Sequence, residues 1–292
     1  MIISTQTAVL SGEFGDKEAI KIIAEAGFDA FDFSFSDWDL YELKEKEKEL
    51  LSGDFIGYAK ELCKFADDCG IICNQAHAPF PSSRGTDEDE EIFEYITRSM
   101  EFAATLGAKV IVVHPKQHIY HLDNVEELFW INVEFYKSLA PYCEKFGIKV
   151  AIENMWHENP NTYAVVDSAC SRAWEFKKLL DTVDSPWITG CLDIGHASLI
   201  GADIPAFIKT LGKERLSALH IHDTDLVHDL HTLPLTQKID YYEVMCALGE
   251  IGYDGDFTYE ADGFLRGFPA DFYPEAVSFM LKVAKRLIKW LE

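Results

Sequence analysis

Basic residues are scarce in this 292-residue sequence. It has 26 Lys and Arg against 50 Asp and Glu, which gives a formal net charge of −24 at pH 7. Such a negative charge repels polyanions such as DNA at long range. A phosphate backbone is normally bound by clusters of Lys and Arg, which this sequence has in small number. We therefore expect no nucleic-acid partner.

Cysteines are few and are not spaced for structural chemistry. The seven of them form an odd set that contains no C-x-x-C pair. This pattern argues against both a disulfide framework and a thiolate zinc site. A reducing compartment fits it best, and we expect a cytoplasmic protein.

Long apolar runs and linkers are also missing. No apolar stretch approaches the roughly 20 residues of a membrane-spanning helix, and the sequence that begins Met1-Ile2-Ile3 shows no basic leader or cleavage site. No Pro/Ser-rich segment divides the chain. With 48% apolar residues, the chain can form the core of one barrel, a fold of about 250 residues. We expect no membrane partner and a single domain over residues 1–292.

Short runs rich in β-branched residues alternate with amphipathic stretches that carry apolar residues at helical spacing. Eight strands are predicted: Ile2–Val9, Asp29–Phe35, Ile71–His77, Lys109–His114, Lys149–Asn154, Trp187–Asp193, Leu216–His222 and Asp256–Glu260. Several predicted helices end in a glycine suited to a left-handed cap: Gly27, Gly70, Gly107, Gly147 and Gly252. Eight strand–helix units predict an α/β fold, a parallel sheet closed into a (β/α)₈ TIM barrel.

The active site of such a barrel is built from the C-terminal ends of its strands. The polar residues at those ends are His77, His114, Glu153, Asp193 with His196, His220 with His222, and Glu260. A single histidine there is more often a hydrogen-bonded structural residue than a ligand, and for His222 both alternatives stay open. Three carboxylates that converge on one mouth would repel one another unless a cation or strong donors compensated them.

A divalent metal is the expected compensating cation. The four residues best placed to hold it offer three carboxylates and one imidazole: Glu153, Asp193, His220 and Glu260. Such a mixed set suits Mn²⁺, Mg²⁺, Co²⁺ or Zn²⁺. A D-x-H pair, Asp229 and His231, follows the seventh strand and could reach a second metal or the substrate. No nucleotide cofactor is expected.

Aromatic and basic residues near the predicted mouth are candidates for binding a sugar. These candidates are Trp38, Lys116, Trp156 and Phe264. Phe33 and Phe35 could also stack on a sugar ring, although a core position is the better interpretation for at least one of them. The scarcity of basic residues favours an unphosphorylated sugar, keto-sugar or inositol derivative, with Lys116 and Arg266 as potential contacts for one phosphate.

The strand-end motifs, taken in order, resemble those of the xylose-isomerase-like barrel superfamily, which groups sugar isomerases and epimerases with endonuclease IV. The motifs are A-H-A-P at His77, V-V-H-P at His114, I-E-N at Glu153, L-D-I-G-H at Asp193 and His196, H-I-H-D at His220, D-x-H at Asp229 and His231, and Y-E-A-D at Glu260. The resemblance covers nearly the whole chain, and as an ordered set the motifs are specific.

This resemblance implies roles for the strand-end residues. It implies a metal held by Glu153, Asp193, His220 and Glu260. It also implies that His196 lies near the substrate and that the carboxylates of Glu153 and Glu260 move protons. Four further residues match positions that complete a three-zinc cluster in endonuclease IV: His77, His114, Asp229 and His231. The number of metals therefore stays open.

One loop departs from the superfamily pattern. Relatives usually follow the D-x-H histidine with Pro-Gly-x-Gly, whereas this chain reads Leu233-Pro234-Leu235-Thr236-Gln237. Without these glycines we expect the backbone to adopt unusual dihedral angles less readily. The substrate of a relative cannot be transferred to this chain on the motifs alone.

The leading hypothesis is a metal-dependent sugar isomerase or epimerase. Glu153 or Glu260 would remove a proton next to a carbonyl, and the metal would stabilise the enediolate. An inosose-type dehydratase shares that first step and is the alternative. Phosphodiester hydrolysis of the endonuclease IV kind suits the ligand set but not the acidic charge, and a non-catalytic sugar-binding barrel would not need these ligands. The oligomeric state is not predictable from the sequence.

Overall fold

The computed structural model describes residues 1–35 and 53–291. These residues form ten strands: β1 (Ile3–Gln6), β2 (Ala30–Ser34), β3 (Ile72–His77), β4 (Val110–Val113), β5 (Lys149–Glu153), β6 (Trp156–Glu158), β7 (Val165–Asp167), β8 (Ile188–Asp193), β9 (Leu216–His220) and β10 (Phe257–Tyr259). Eight of them lie parallel in the order β10-β1-β2-β3-β4-β5-β8-β9, whereas β6 and β7 form an antiparallel hairpin.

The eight-stranded sheet closes on itself. β1 pairs with β10, where Thr5 lies opposite Tyr259. Just past the end of β9, the backbone N–H of Ile221 donates to the carbonyl oxygen of Thr258 at 2.9 Å, and Ile221 pairs with Tyr259 in a parallel bridge. The predicted (β/α)₈ barrel is confirmed.

Helices surround this barrel. The described residues form α1 (Ala8–Phe14), α2 (Asp16–Ala26), α3 (Phe55–Cys69), α4 (Asp89–Leu106), α5 (Val125–Phe146), α6 (Ala173–Val183), α7 (Ile194–Leu199), α8 (Ile204–Leu211), α9 (Tyr241–Glu250), α10 (Asp262–Leu265) and α11 (Tyr273–Leu287), with 3₁₀ turns at His121–Asp123, Ala270–Phe272 and Ile288–Leu291. Successive packing of α2, α3, α4, α5, α6, α8, α9 and α11 forms a closed outer ring. None of the described helices has the length and apolarity needed to cross a membrane.

The predicted glycine caps take left-handed backbone angles. Gly107, which ends α4, has a φ of 111° and donates its N–H to the carbonyls of Ala103 and Ala104. A residue with a Cβ rarely adopts such a φ, so glycine is the natural residue at this position. The other four predicted caps also have a positive φ: Gly27, Gly70, Gly147 and Gly252.

Small apolar side chains from alternate strand positions form a minor core cluster separate from the main one. This cluster consists of Val110, Val112, Ala151, Cys191 and Ala218. Because side chains alternate along a strand, the residue two positions further on faces the same way. Glu153 follows Ala151, Asp193 follows Cys191, and His220 follows Ala218 at this spacing, so the polar residues continue the same row toward the C-terminal ends of the strands.

Two differences from the prediction are larger than the shifts of one or two residues at the ends of the other strands. The first strand was predicted as Ile2–Val9, but it ends at Gln6 and α1 begins at Ala8. The hairpin of β6 and β7 was not predicted, since its two strands have only three residues each and are partly exposed. This hairpin extends the connection between β5 and α6 beside the mouth of the barrel.

Candidate active site

Three strand-end side chains and one residue just after β10 meet inside the barrel. The group consists of Glu153, Asp193, His220 and Glu260, all buried, with one ligand atom of each within 4.8 Å of the others. His220 Nδ1 lies 3.1 Å from Glu153 Oε1, 3.0 Å from Glu260 Oε2 and 3.8 Å from Asp193 Oδ2. The structure thus brings the four predicted metal ligands together.

The chemistry of this group fits a divalent cation. Three buried carboxylates share one imidazole, and among the described residues no hydrogen bond of good geometry reaches Glu153 Oε2 or Glu260 Oε2. Anionic oxygens in a buried site are costly unless a positive charge compensates them. Three oxygens and one nitrogen suit Mn²⁺, Co²⁺, Mg²⁺ or Zn²⁺.

The pKa values of the group describe an anionic cage. Burial raises the pKa of Glu153, but the nearby imidazoles of His220 and His114 outweigh this effect and hold it well below its usual range. Burial also raises the pKa of Glu260, but the imidazoles of His220 and His231 outweigh this effect and lower it well below its usual range. Burial lowers the pKa of His220, yet its acidic neighbours raise it well above its ordinary value. Both glutamates are therefore ionised at neutral pH.

A second group of ligand type shares Glu153. His77 Nε2 and His114 Nε2 lie 3.0 Å apart, and they lie 3.5 and 3.0 Å from Glu153 Oε2. His77 Nδ1 lies 2.8 Å from the carbonyl oxygen of Ala78. Because that carbonyl can only accept, the geometry assigns the proton of a neutral His77 to Nδ1, which turns the lone pair of Nε2 toward Glu153.

A third group of ligand type adjoins Asp193, and it consists of His196, His222, Asp229 and His231. Asp229 Oδ2 lies 3.3 Å from His196 Nε2 and 3.2 Å from His231 Nε2. His222 Nε2 lies 3.0 Å from Asp193 Oδ2, and its ring stacks on that of His231 with centroids 4.1 Å apart. The predicted additional residues therefore all lie at the site, arranged as two further potential metal positions.

Three supporting residues were missed by the sequence analysis. Gln6 Nε2 donates to Glu260 Oε1 at 3.1 Å. Asn154 Nδ2 donates to the carbonyl oxygen of Asp193 at 2.9 Å, and Asn154 Oδ1 accepts from the Asp193 N–H at 2.8 Å. Asp32, fully buried on β2, lies 3.9 Å from His220 Nε2, and burial raises its pKa to about 6. An acid between two phenylalanines of a predicted strand was the available sign for Asp32.

A cavity of about 440 Å³ opens onto the metal-type ligands. Its walls include Phe80, Met155, Trp156, His196 and Arg266 together with both glutamates. This size suits a small-molecule substrate, since such sites commonly measure about 300–1,000 Å³. Trp156, predicted to bind substrate, lines the cavity and donates from Nε1 to Asp229 Oδ2 at 3.1 Å.

Among the described residues, the other candidates for binding a sugar are not found in the lining of this cavity. Lys116 does not line this cavity: its ammonium lies 3.5 Å from Asp89 Oδ2 and above the ring of Phe135. Phe264 does not line it either and packs on Phe268 and Phe279. Phe33 and Phe35 are core residues, as expected for at least one of them. Trp38 lies outside the described residues.

The family model described as the xylose isomerase-like TIM barrel matches residues 20–283. The chain belongs to this family. Among its relatives, an uncharacterized protein of Methanocaldococcus jannaschii is 31% identical over 232 residues, which cover 76% of this chain and 74% of that protein. A putative L-ribulose-5-phosphate 3-epimerase of Escherichia coli is 27% identical over 199 residues, 65% of this chain and 64% of that protein.

Solved structures share the barrel of this xylose isomerase-like chain. A crystal structure of D-psicose 3-epimerase, determined in the presence of D-fructose, superposes with a TM-score of 0.74 and covers 99% of both chains. The sequence identity is 16%. A likeness of this kind supports the fold, and the activity has to be argued from the site.

The loop after β9 corrects one expectation about this member of the family. The loss of two glycines was expected to make unusual dihedral angles harder to adopt. His231 and Leu235 nevertheless have φ values of 42° and 71°. For residues with a Cβ this conformation costs roughly 1–2 kcal/mol each, so the loop holds His231 beside Asp229 in a strained backbone.

Proposed function

We propose that this chain is a metal-dependent isomerase or epimerase of a keto-sugar or a related polyol. The observation that carries the proposal is the meeting of Glu153 and Glu260 with Asp193 and His220 around one point, where both glutamates also line an open cavity. Two ionised carboxylates beside a cation position can remove a proton from a carbon next to a carbonyl and return it elsewhere. The similarity to a putative L-ribulose-5-phosphate 3-epimerase is consistent with this chemistry.

Glu260 is held through one of its carboxylate oxygens, and the other oxygen remains for the reaction. Gln6 occupies Glu260 Oε1, which leaves Oε2 directed toward His220. A divalent metal held by the four ligands would supply positive charge for the oxyanion that develops as the proton leaves. One glutamate would take the proton, and the same group, now protonated, would return it to the neighbouring carbon. For inversion, the other glutamate would first take up a proton from solvent and then deliver it to the opposite face. Elimination of water after the first step would instead give a dehydratase.

The walls of the cavity favour an uncharged substrate. Among the described lining residues, Arg266 is the one side chain with a permanent positive charge, whereas Glu153, Asp229, Glu260 and Asp262 are acidic. A sugar phosphate would normally need several cations to offset that charge. Trp156 and Phe80 provide flat apolar surfaces of the kind on which sugar rings stack.

Metal-assisted hydrolysis of a phosphodiester is a second candidate, because the two further ligand groups could complete a multi-metal site. The net charge of −24 opposes binding to a nucleic acid, whose affinity depends on neutralising phosphates. We therefore place this activity second to proton transfer on a sugar.

The test is the exchange of substrate protons with solvent. The Mn²⁺-loaded protein is incubated in D₂O with a panel of free ketoses, and deuterium uptake at the carbons beside the carbonyl is followed by NMR. We expect uptake with at least one ketose, and Glu260→Gln should slow it at least about 100-fold, the usual contribution of a general base.

A glutamate of α5 provides the matched control. Glu134 is exposed and lines neither the cavity nor a metal-type group, so Glu134→Gln should exchange like the wild type. Full exchange in metal-loaded Glu260→Gln would show that this carboxylate is not the base. Nicking of abasic duplex DNA together with no exchange on any ketose would favour the hydrolase instead.

A further inference from the structure

A second cavity of about 420 Å³ adjoins the first, and the two share Phe80, His114 and Met155 as a common wall. The second cavity extends between the loop after β3 and the loop after β4. Either cavity alone has the volume of a small-molecule site, about 300 Å³ or more. The first cavity therefore suffices for a single sugar ring, and the second is additional space that a monosaccharide would not reach.

Hydrogen bonds hold the walls of the second cavity in place. Ser82 Oγ donates to the carbonyl oxygen of His114 at 2.6 Å. Gln117 Nε2 donates to Ser168 Oγ at 2.6 Å and to the carbonyl oxygen of Trp156 at 3.2 Å, which ties this cavity to the β6–β7 hairpin. A pocket formed before a ligand arrives binds with a smaller loss of conformational entropy.

His118 is a central part of this wall. Its Nδ1 lies 3.0 Å from Ser83 Oγ. Gly85 packs so closely against the ring that a Cβ there would come within 2.7 Å of His118 Cδ2. The imidazole is thus a ring held in place in the cavity wall, next to the flat surfaces of Phe80, Pro81 and Pro115.

The charges around the cavity cancel in pairs. Arg84 Nη1 lies 2.6 Å from Glu88 Oε2, and the Lys116 ammonium lies 3.5 Å from Asp89 Oδ2. Because each pair joins one positive and one negative side chain, the two pairs leave no net positive charge to attract a phosphate. Apolar rings combined with hydroxyl, amide and imidazole groups instead match a neutral polyol ring, which has apolar faces and hydroxyl edges.

We propose that the second cavity is a subsite for a second, uncharged sugar ring, so that the substrate is a glycosylated keto-sugar and not a free monosaccharide. This inference rests on the proposed function for the chemistry in the first cavity. It specifies two properties of the substrate that the metal-type ligands do not determine, namely its size and its lack of charge.

The experiment compares affinities by isothermal titration calorimetry of the Mn²⁺-loaded protein. The probes are D-fructose and three glucosyl-fructoses that differ in the position of the linkage, namely turanose, maltulose and isomaltulose. We expect at least one disaccharide to bind about tenfold or more tightly than D-fructose, as a few additional hydrogen bonds and ring contacts would give. Solvent-deuterium exchange on the same four sugars reports the proposed activity separately.

Two histidine variants locate the effect. His118→Ala should lower the ratio of disaccharide affinity to D-fructose affinity about tenfold. His228→Ala is the matched control, because His228 is exposed on the loop after β9 and lines neither cavity. Circular dichroism confirms that both variants fold, and the wild-type comparison stands even if one of them does not.

The outcomes separate the subsite from the activity. Deuterium exchange on D-fructose without tighter binding of any disaccharide would overturn the subsite and leave the proposed function standing. Tight disaccharide binding that is lost in His118→Ala would support the subsite, even if no sugar exchanged deuterium and the proposed function failed. Tighter binding of D-fructose 6-phosphate than of every disaccharide would overturn the neutral second ring in favour of a phosphate.

Discussion

Glu175 is a buried carboxyl group that belongs to none of the metal-type groups. It lies on α6 with 5% of its surface exposed, and its Oε2 is 3.8 Å from His121 Nε2. Burial and the negative charge of Asp167 raise its pKa to about 7, although the backbone N–H of Cys170 partly opposes this. At neutral pH this side chain is therefore partly protonated and has a structural role.

Glu175→Gln should stabilise the protein, and more so at high pH. Folding raises the pKa of this carboxyl from 4.5 to about 7. Between these two pH values the folded state becomes progressively less stable as the pH rises, because the unfolded chain loses its proton more readily. A tenfold change in proton affinity is worth about 1.4 kcal/mol. The gain in free energy of unfolding at pH 8 should thus exceed that at pH 5.5 by about 2 kcal/mol. Urea titrations at the two pH values measure it.

The contrast with a surface glutamate makes the pH test specific. Glu134 is exposed on α5, so Glu134→Gln should change the free energy of unfolding equally at both pH values. An equal gain at pH 5.5 and pH 8 in Glu175→Gln would contradict the assigned pKa and leave side-chain packing as the cause.

At the scale of the element, the short helix α7 links a metal-type ligand to the rest of the site. Asp193 ends β8 and caps α7, where its Oδ1 accepts the His196 N–H at 2.5 Å. Gly195 lies in the first turn against the His222 ring, and a Cβ there would come within 1.9 Å of His222 Cε1. The glycine of the L-D-I-G-H motif thus makes room for the histidine that contacts Asp193.

Gly195→Ala should displace the His222 ring and disturb Asp193. We expect the affinity for Mn²⁺ to fall about 10-fold or more, as is usual when a residue that orients a ligand is altered, together with a loss of roughly 1–3 kcal/mol from overpacking. Competition with a metal indicator measures the first effect. Gly267→Ala is the control, because its Cβ would meet only an ordinary contact of 3.5 Å. Unchanged affinity in Gly195→Ala would show that His222 does not position Asp193.

The strands and the polar residues at their ends were predictable because six of the eight predicted β-rich runs end in a polar residue, and parallel strands bring such ends together. The supporting residues were not, because the roles of Gln6 and Asp32 depend on which strand faces turn inward once the barrel closes. The direction of a side chain was also not predictable from the sequence pattern. Lys116 closely follows a strand end, yet its ammonium pairs with Asp89.

At the scale of the whole molecule, the barrel gathers negative charge that the rest of the chain does not offset. The chain carries a net charge of −24, and carboxylates from β5 and β8 and from the segment after β10 meet in the interior. A cation bound only by the folded state would stabilise it, since such binding shifts the folding equilibrium. We therefore propose that metal binding is central both to the proposed activity and to the tolerance of this buried charge.

The most direct test of this claim is the metal content of the purified protein by elemental mass spectrometry. The wild type should hold about one equivalent or more of Mn, Co or Zn, and the double variant Glu153→Gln, Glu260→Gln should lose it because two of the carboxylate ligands are gone. Glu134→Gln should retain the wild-type content. A wild-type protein that holds no metal even after loading with all three ions would contradict the account.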